Sequence, residues 1–260
     1  MKIKPIPAQR ENLILEILET KQFIRSTELC FLLNISESTA RRDLENMENR
    51  GLLDRVHGGA IISQQILTDP SYHQSKGTNF EQKEAIGNKV VSMLEPNDLI
   101  FLNHGTTTEI IAEKIKQSSN ITNLTVVTSN YNIVNILKDS PVNTICIGGV
   151  FRVASQSFVG SIALENIDKF SASKCFIGVD GINMKYGCTV TAEQDAEISR
   201  HMIKQTYGKV TIVADHKKWG IVSPYVCTTL ERVNQLITDK ELNHEILKMI
   251  NEFNVEVICV

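Results

Sequence analysis

Seven short runs rich in valine, isoleucine and leucine mark the C-terminal two-thirds of the chain. They are DLIFLN (98–103), LTVVTS (124–129), NTICIGG (143–149), KCFIGVD (174–180), KVTIVAD (209–215), NQLIT (234–238) and VEVICV (255–260). Helical periodicity fills most of the gaps, over 84–94, 109–117, 131–138, 194–206 and 241–252. Near-continuous apolar runs suit strands buried on both faces. Their alternation with helices predicts a mainly parallel sheet covered on both sides, a Rossmann-like α/β domain over 81–260. Ligands of such sheets sit beyond the carboxyl ends of the strands.

The residues that follow each run are therefore the candidate site. Asn103, Gly105, Thr106, Thr107 and Thr108 follow the first run, and Ser129 and Asn130 the second. Gly149 and Arg152 follow the third, Asp180 and Gly181 the fourth, and Lys218 lies just past the fifth. Singly these are turn chemistry. Together they make a polar, glycine-lined rim with Arg152 and Lys218 as countercharges, which suits a phosphorylated small molecule. Neither G-x-G-x-x-G nor G-x-x-x-x-G-K-[ST] occurs, which disfavours a nucleotide. The stretch NHGTTTE has two compatible readings. Thr106 caps the next helix with Glu109 completing a capping box, or the hydroxyls and the helix start hold an anion.

The first sixty residues have a different grammar. Leu13, Ile14, Ile17 and Leu18 form one helical stripe, and Leu29, Leu32 and Leu33 suggest a second helix capped by Ser26 or Thr27. Ser36 caps a third, from Glu37 to about Arg50, stopped by Gly51. A hairpin around Gly58 and Gly59 follows, so 1–60 is expected to be a small N-terminal winged helix-turn-helix. On the third helix, Ala40, Leu44 and Met47 share one side, while Ser38, Arg41, Arg42 and Glu45 cluster opposite. Arginine pairs bidentately with guanine or phosphate; the alternative is a solvated face with an Arg41–Glu45 ion pair. Residues 61–80 are rich in Ser, Gln, Thr and Asn and are expected to be a linker.

Charge does not decide the matter: residues 1–60 hold 9 basic side chains (3 Lys, 6 Arg) and 9 acidic ones, and the whole chain is −3. That balance excludes a generally basic, nucleic-acid-coating surface but not a local contact. The six cysteines show no C-x-x-C pair or zinc-ligand spacing, and are expected to be mostly buried, reduced thiols. The start lacks an apolar signal segment, and no run approaches ~18 apolar residues. A soluble, cytoplasmic protein without metal or cofactor is the expectation.

Arg10, then Ile14 and Leu18, then Ser36-x-x-Thr39-Ala40-Arg41-Arg42-Asp43-Leu44 and the following GLLDRVHGGAI resemble the DNA-binding signature of the DeoR family of bacterial transcriptional regulators. FLNHGTTTEIIA, VVTSN, IGGVFR, SFVG, FIGVDGI and VADHKKWG resemble segments of that family's sensor domain, which is similar to phosphosugar isomerases. The resemblance covers nearly the whole chain. It implies that Ser38, Thr39, Arg41 and Arg42 face double-stranded operator DNA, with the capping Ser36 counted among the DNA-binding residues, and that Arg55 and His57 lie on the wing near the backbone; His57 is otherwise a plain hairpin residue. It further implies that Gly105 to Thr108 hold the phosphate of a sugar effector, with Asp180, Gly181 and Lys218 around the sugar. A homo-oligomer, dimer or tetramer, would set two winged helices at half-site spacing. The usual sign is repression relieved by the effector.

Two departures stand out. The family commonly has Asp and a small residue where this chain has Asn103-His104, and a lysine where it has Ser199. His104 either touches the ligand or ends the strand, and one basic ligand contact is missing or supplied by Arg200. The alternative to a regulator is an isomerase-like enzyme using Asp180, Glu193, Asp195 or Glu197 as its base. Helix capping and surface ion pairs account for the last three, and an enzyme has no use for a winged helix.

Overall fold

The computed structural model describes residues 5–65, 72–119 and 121–260. The N-terminal part contains α1 (Pro7–Lys21), β1 (Phe23–Arg25), α2 (Ser26–Leu33), α3 (Glu37–Asn49), β2 (Leu53–Val56) and β3 (Gly59–Ile62). Pro7 opens α1, where its missing N–H costs nothing. Ile14, Leu18, Leu29, Ala40, Leu44, Met47 and Leu53 close one small core. Leu13 and Leu32 do not join it; they are 38% and 50% exposed, because each lies off the buried face of its helix. Helix α2 starts at Ser26 itself, after an extended Arg25, so neither Ser26 nor Thr27 caps it. The wing is three-stranded, in order β1-β3-β2, with β1 added by the turn between α1 and α2.

Next come β4 (Gln64–Gln65), α4 (Tyr72–Gly77), α5 (Phe80–Ser92), β5 (Leu99–Leu102), α6 (Thr106–Gln117), β6 (Thr125–Thr128), α7 (Tyr131–Leu137) and β7 (Asn143–Cys146). The chain continues through β8 (Val150–Arg152), β9 (Ser157–Val159), α8 (Ser161–Ile167), β10 (Ala172–Gly178), β11 (Gly181–Asn183), β12 (Gly187–Val190) and α9 (Glu193–Lys204). It ends with β13 (Thr206–Val213), β14 (Ile221–Val222), β15 (Tyr225–Thr228), β16 (Gln235–Thr238), α10 (His244–Asn251) and β17 (Glu256–Cys259).

All seven apolar runs enter one parallel sheet, ordered β17-β16-β13-β10-β5-β6-β7. Strand alternation splits the core. Ile100, Leu102, Val126 and Phe176 pack with Ile86, Ile111 and Ile133 on one face. Phe101, Val127, Cys175 and Ile177 pack with Ile167, Ile198 and Ile250 on the other. Each such side chain contributes about 1.5–3 kcal/mol on burial, so the two-sided pattern dictates the fold. The antiparallel pieces, β8–β9 and β11-β12-β15, and helix α8 lacked any sequence signal. Their segments are too short to show a period.

Within the expected linker, Ile61 and Ile62 belong to β3, residues 64–65 pair in parallel with β14, and 72–77 are helical. Residues 66–71 lie outside the described residues. Of the cysteines, Cys175, Cys188 and Cys227 are buried, and burial pushes the Cys175 and Cys188 thiols up to about 12. Cys146 and Cys259 are exposed, contrary to expectation, because β7 and β17 are the edge strands of the sheet. No described helix is long and apolar enough to cross a membrane.

Candidate DNA-reading face and anion pocket

Helix α3 is capped as its sequence requires: Ser36 Oγ accepts the Thr39 amide at 3.3 Å and lies 3.0 Å and 2.8 Å from the Ser38 and Thr39 hydroxyls. Arg10 holds α3 against α1 by a two-point contact with Asp43, 2.6 Å and 2.9 Å, and this hydrogen bonding raises the guanidinium pKa further. With Ala40, Leu44 and Met47 buried, Arg41 and Arg42 are left exposed, and among the described residues neither has an ion-pair partner. Arg55 is half-buried 3.9 Å from Glu48, while His57 is exposed at the tip of the wing. Replacing Arg41 by alanine is expected to cost about 1–3 kcal/mol of operator binding and to relax preference at one base position. Unchanged affinity and preference in a gel-shift titration would remove Arg41 from the DNA face.

In the large sheet the strand order reverses between β5 and β10, the place where open α/β sheets bind ligands. A pocket lies there, lined by His104, Gly105, Thr106, Thr107, Arg152, Ser155, Asp180, Thr191, Asp195 and Lys218 among others. Its water-accessible volume of about 80 Å³ is well above the ~10–15 Å³ that one water needs. Helix α6 begins at Thr106, after Gly105 in a positive-φ conformation. Thr106 is therefore the first helical residue, not the cap. Nor does Glu109 complete a capping box: it is buried and accepts hydrogen bonds from Asn130 and Asn132 at 3.1 Å and 2.9 Å. The side-chain-free cap leaves the helix N-terminus facing the pocket.

Six of the twelve rim residues predicted from sequence line this pocket: Gly105, Thr106, Thr107, Arg152, Asp180 and Lys218. The others form its scaffold. Thr108 is buried, its hydroxyl 2.9 Å from the Asn103 carbonyl. Asn130 caps α7, and Ser129 is buried beside it. Gly149 lies against Val159 and Ala163. Gly181 sits under Ile221, whose carbonyl a Cβ would meet at 2.3 Å. Asn103, fully buried, bridges two strand ends: its Nδ2 donates to the Gly178 carbonyl at 2.9 Å, and its Oδ1 accepts the Gly178 amide at 2.8 Å.

The two departures noted above are a single contact. Asn103 Nδ2 also lies 3.1 Å from Ser199 Oγ. Replacing an acid and a base together at facing positions leaves the local charge unchanged, and Ser199 is buried outside the residues that line the pocket. Arg200 is exposed and donates to the Val226 carbonyl, so it does not substitute for one. Asp195 is no surface acid either: it is buried, accepts Arg152 Nη1 at 2.9 Å and Ser155 Oγ at 3.0 Å, and lies 3.8 Å from His104 Nε2. Asp180 accepts the Thr191 amide at 3.0 Å. His104 Nδ1 is buried in the pocket wall, and among the described residues it has no hydrogen-bond partner.

Sequence reasoning missed Lys83. It is 3% exposed, and its Nζ donates to Thr106 Oγ1 at 2.9 Å and to the Ser75 carbonyl at 2.5 Å, directly behind the pocket. Burial lowers its pKa to about 8, helped by Lys218 and opposed by Asp215 and Glu109. Lys83 lies between two polar residues, Gln82 and Glu84, which carry no sign of burial. The available signal was its spacing, since Lys83, Ile86, Gly87 and Val90 share one buried helix face. On the far side of the pocket, Lys218 has no carboxylate within salt-bridge distance among the described residues.

A winged helix joined to a parallel α/β sheet with a cation-flanked pocket at its switch point is the architecture of a transcription regulator rather than of a lone enzyme domain. Residues 78–240 match the DeoR C terminal sensor domain and residues 10–65 the DeoR-like helix-turn-helix domain. The HTH-type transcriptional regulator GolR of Listeria innocua is 30% identical over 96% of this chain and 98% of its own length. The HTH-type transcriptional repressor GlcR of Bacillus subtilis is 31% identical over 96% of each chain. A solved D-ribose-5-phosphate isomerase in complex with phospho-erythronic acid overlays 54% of each chain with a TM-score of 0.40 at 13% identity, a likeness too slight to bear on function. The chain belongs to the DeoR family of transcriptional regulators.

Proposed function

We propose that this regulator is a cytoplasmic repressor of a carbohydrate-metabolism operon, and that a phosphorylated sugar in the switch-point pocket relieves its operator binding. The observation that carries this reading is the meeting of the α6 N-terminus, Thr106 and Thr107 with two lysines, Lys83 behind and Lys218 in front. Helix N–H groups, hydroxyls and ammonium charge are what a phosphate dianion requires. At the other end, Asp180, Asp195, Ser155, Thr191 and the free His104 Nδ1 offer hydrogen bonds suited to sugar hydroxyls. Residues 1–60 carry DNA recognition and 81–260 carry sensing, with 61–80 joining them. The chain works as a homo-oligomer that spaces two winged helices for two half-sites.

Binding rather than catalysis is favoured by the state of the acids. Asp195 is held by Arg152 and Ser155, and Asp180 by Thr191, so neither stands ready to take a proton from carbon.

A thermal-shift panel of sugar phosphates tests the reading. A true effector at 100 times its Kd stabilises the protein by about 2.7 kcal/mol, and Lys218→Ala should lose that shift and the effector's relief of operator binding while keeping DNA affinity. A panel without any stabilising sugar phosphate, or a Lys218→Ala variant that still responds, overturns it.

A further inference from the structure

The pocket and the winged helix meet at one turn. Asp215 and His216 fix its start: Asp215 Oδ1 accepts the Lys217 amide at 3.0 Å and Asn79 Nδ2 at 2.8 Å, and Asp239 accepts the His216 amide at 2.8 Å and pairs with its Nδ1 at 2.9 Å. Two residues on, Lys218 faces the pocket. The other side of the same turn touches the DNA-binding part. The His216 carbonyl accepts Gln22 Nε2 at 2.7 Å. Gln22 ends α1 in a left-handed conformation, and its own carbonyl accepts the Ile62 amide at 3.1 Å, so it ties α1 to β3. Gly220 closes the turn at φ +80 beneath Ile62, whose carbonyl a Cβ would meet at 2.5 Å.

We propose that the Asp215–Gly220 turn is the coupling element of this regulator: an anion held by Lys218 shifts the turn, and Gln22 and Ile62 carry the shift to the winged helix. The proposal rests on the pocket reading above. Its physical basis is stiffness. The turn is pinned at Asp215 and His216 and packed without slack at Gly220, so it transmits a displacement to its neighbours rather than absorbing it. Beside it a groove of about 660 Å³, between Thr20 and Gln22 on one side and Lys217 and Asn243 on the other, leaves the two parts room to move. Other contacts also join the two parts: Asn183 Nδ2 donates to Asp54 Oδ2 at 2.5 Å, and Phe23 and Ile61 belong to the same buried cluster as Ile182 and Trp219. Arg25 with Glu245 at 2.8 Å and Asn243 with the Lys21 carbonyl at 2.7 Å are exposed, and none of these hydrogen bonds or ion pairs starts from the Asp215–Gly220 turn.

Hydrogen exchange of the full chain with and without saturating inorganic phosphate tests this without needing the operator. Phosphate should slow exchange over 104–109 and change it about fivefold, the factor expected for one hydrogen bond gained or lost, over 22–25 and 60–62. Gln22→Asn keeps a residue that tolerates the left-handed backbone but shortens the reach to His216. It should retain the response at 104–109 and lose the one at 60–62. Arg25→Ala should retain both. Coupling through this turn is overturned if Gln22→Asn responds at 60–62 as the wild type does, or if the wild type responds at 104–109 alone. A wild type with no response at 104–109 overturns the pocket reading instead.

Discussion

Lys83→Met is expected to weaken phosphate binding by about 100-fold, within the range for loss of a charge-assisted hydrogen bond, and at the same time to raise the melting temperature of the ligand-free protein. Both effects follow from one fact. Lys83 is a buried cation whose pKa, lowered to about 8 chiefly by burial, shows that its charge is held at a cost until an anion arrives. Methionine fills the same space without that cost. The pH dependence has a definite sign. The folded chain releases the Lys83 proton near pH 8 and the unfolded chain only near 10.5, so between these values the unfolded state binds more protons and stability rises with pH. Phosphate draws the pKa back up, so its affinity should fall as pH passes above about 8, and calorimetry in two buffers should detect proton uptake on binding. A Lys83→Met protein with wild-type phosphate affinity would remove Lys83 from the site.

Asn103→Asp is expected to destabilise the chain by about 3–5 kcal/mol, the penalty for an uncompensated buried charge. The asparagine presents a donor to the Gly178 carbonyl and an acceptor to the Gly178 amide, and a carboxylate can satisfy only the second. Adding Ser199→Lys supplies the missing countercharge at the position 3.1 Å away and should recover part of the loss. Urea denaturation of the two single variants and the double variant measures the coupling directly. Additive effects would show that the two positions do not share an interaction, and a wild-type midpoint for Asn103→Asp would show that its amide donor is unimportant.

Most of the architecture was legible because it rests on burial. Strands such as 99–102 and 125–128 are buried on both faces, and only a helix-covered parallel sheet accepts seven of them. The caps were less legible. Ser36 acts as its position suggests, but Thr106 does not, because Gly105 can take a backbone conformation that lets the helix start one residue earlier than a threonine cap would require. The pocket was half legible. Residues after strand ends were the right set to consider, yet sequence could not separate those that line the pocket, such as Thr107, from those that hold the strand ends together, such as Asn103. Asp195 and Lys83 escaped for the opposite reason: both are charged residues on helices, where exposure is the ordinary expectation, and only tertiary packing revealed them as buried.

The short parallel pairing of Gln64 and Gln65 with Ile221 and Val222 bears on how such regulators are re-engineered. Exchanging operator specificity between relatives means grafting one winged helix onto another sensor. A graft cut after the wing at Ile62 would leave the recipient's own 64–65 strand in place but meet it with a foreign Ile62 counterpart above Gly220. A graft cut after Gln65 would carry the donor's strand into the recipient's sheet. The natural unit of exchange is thus larger than the DNA-binding fold, and includes the residues facing 220–222 on the receiving side.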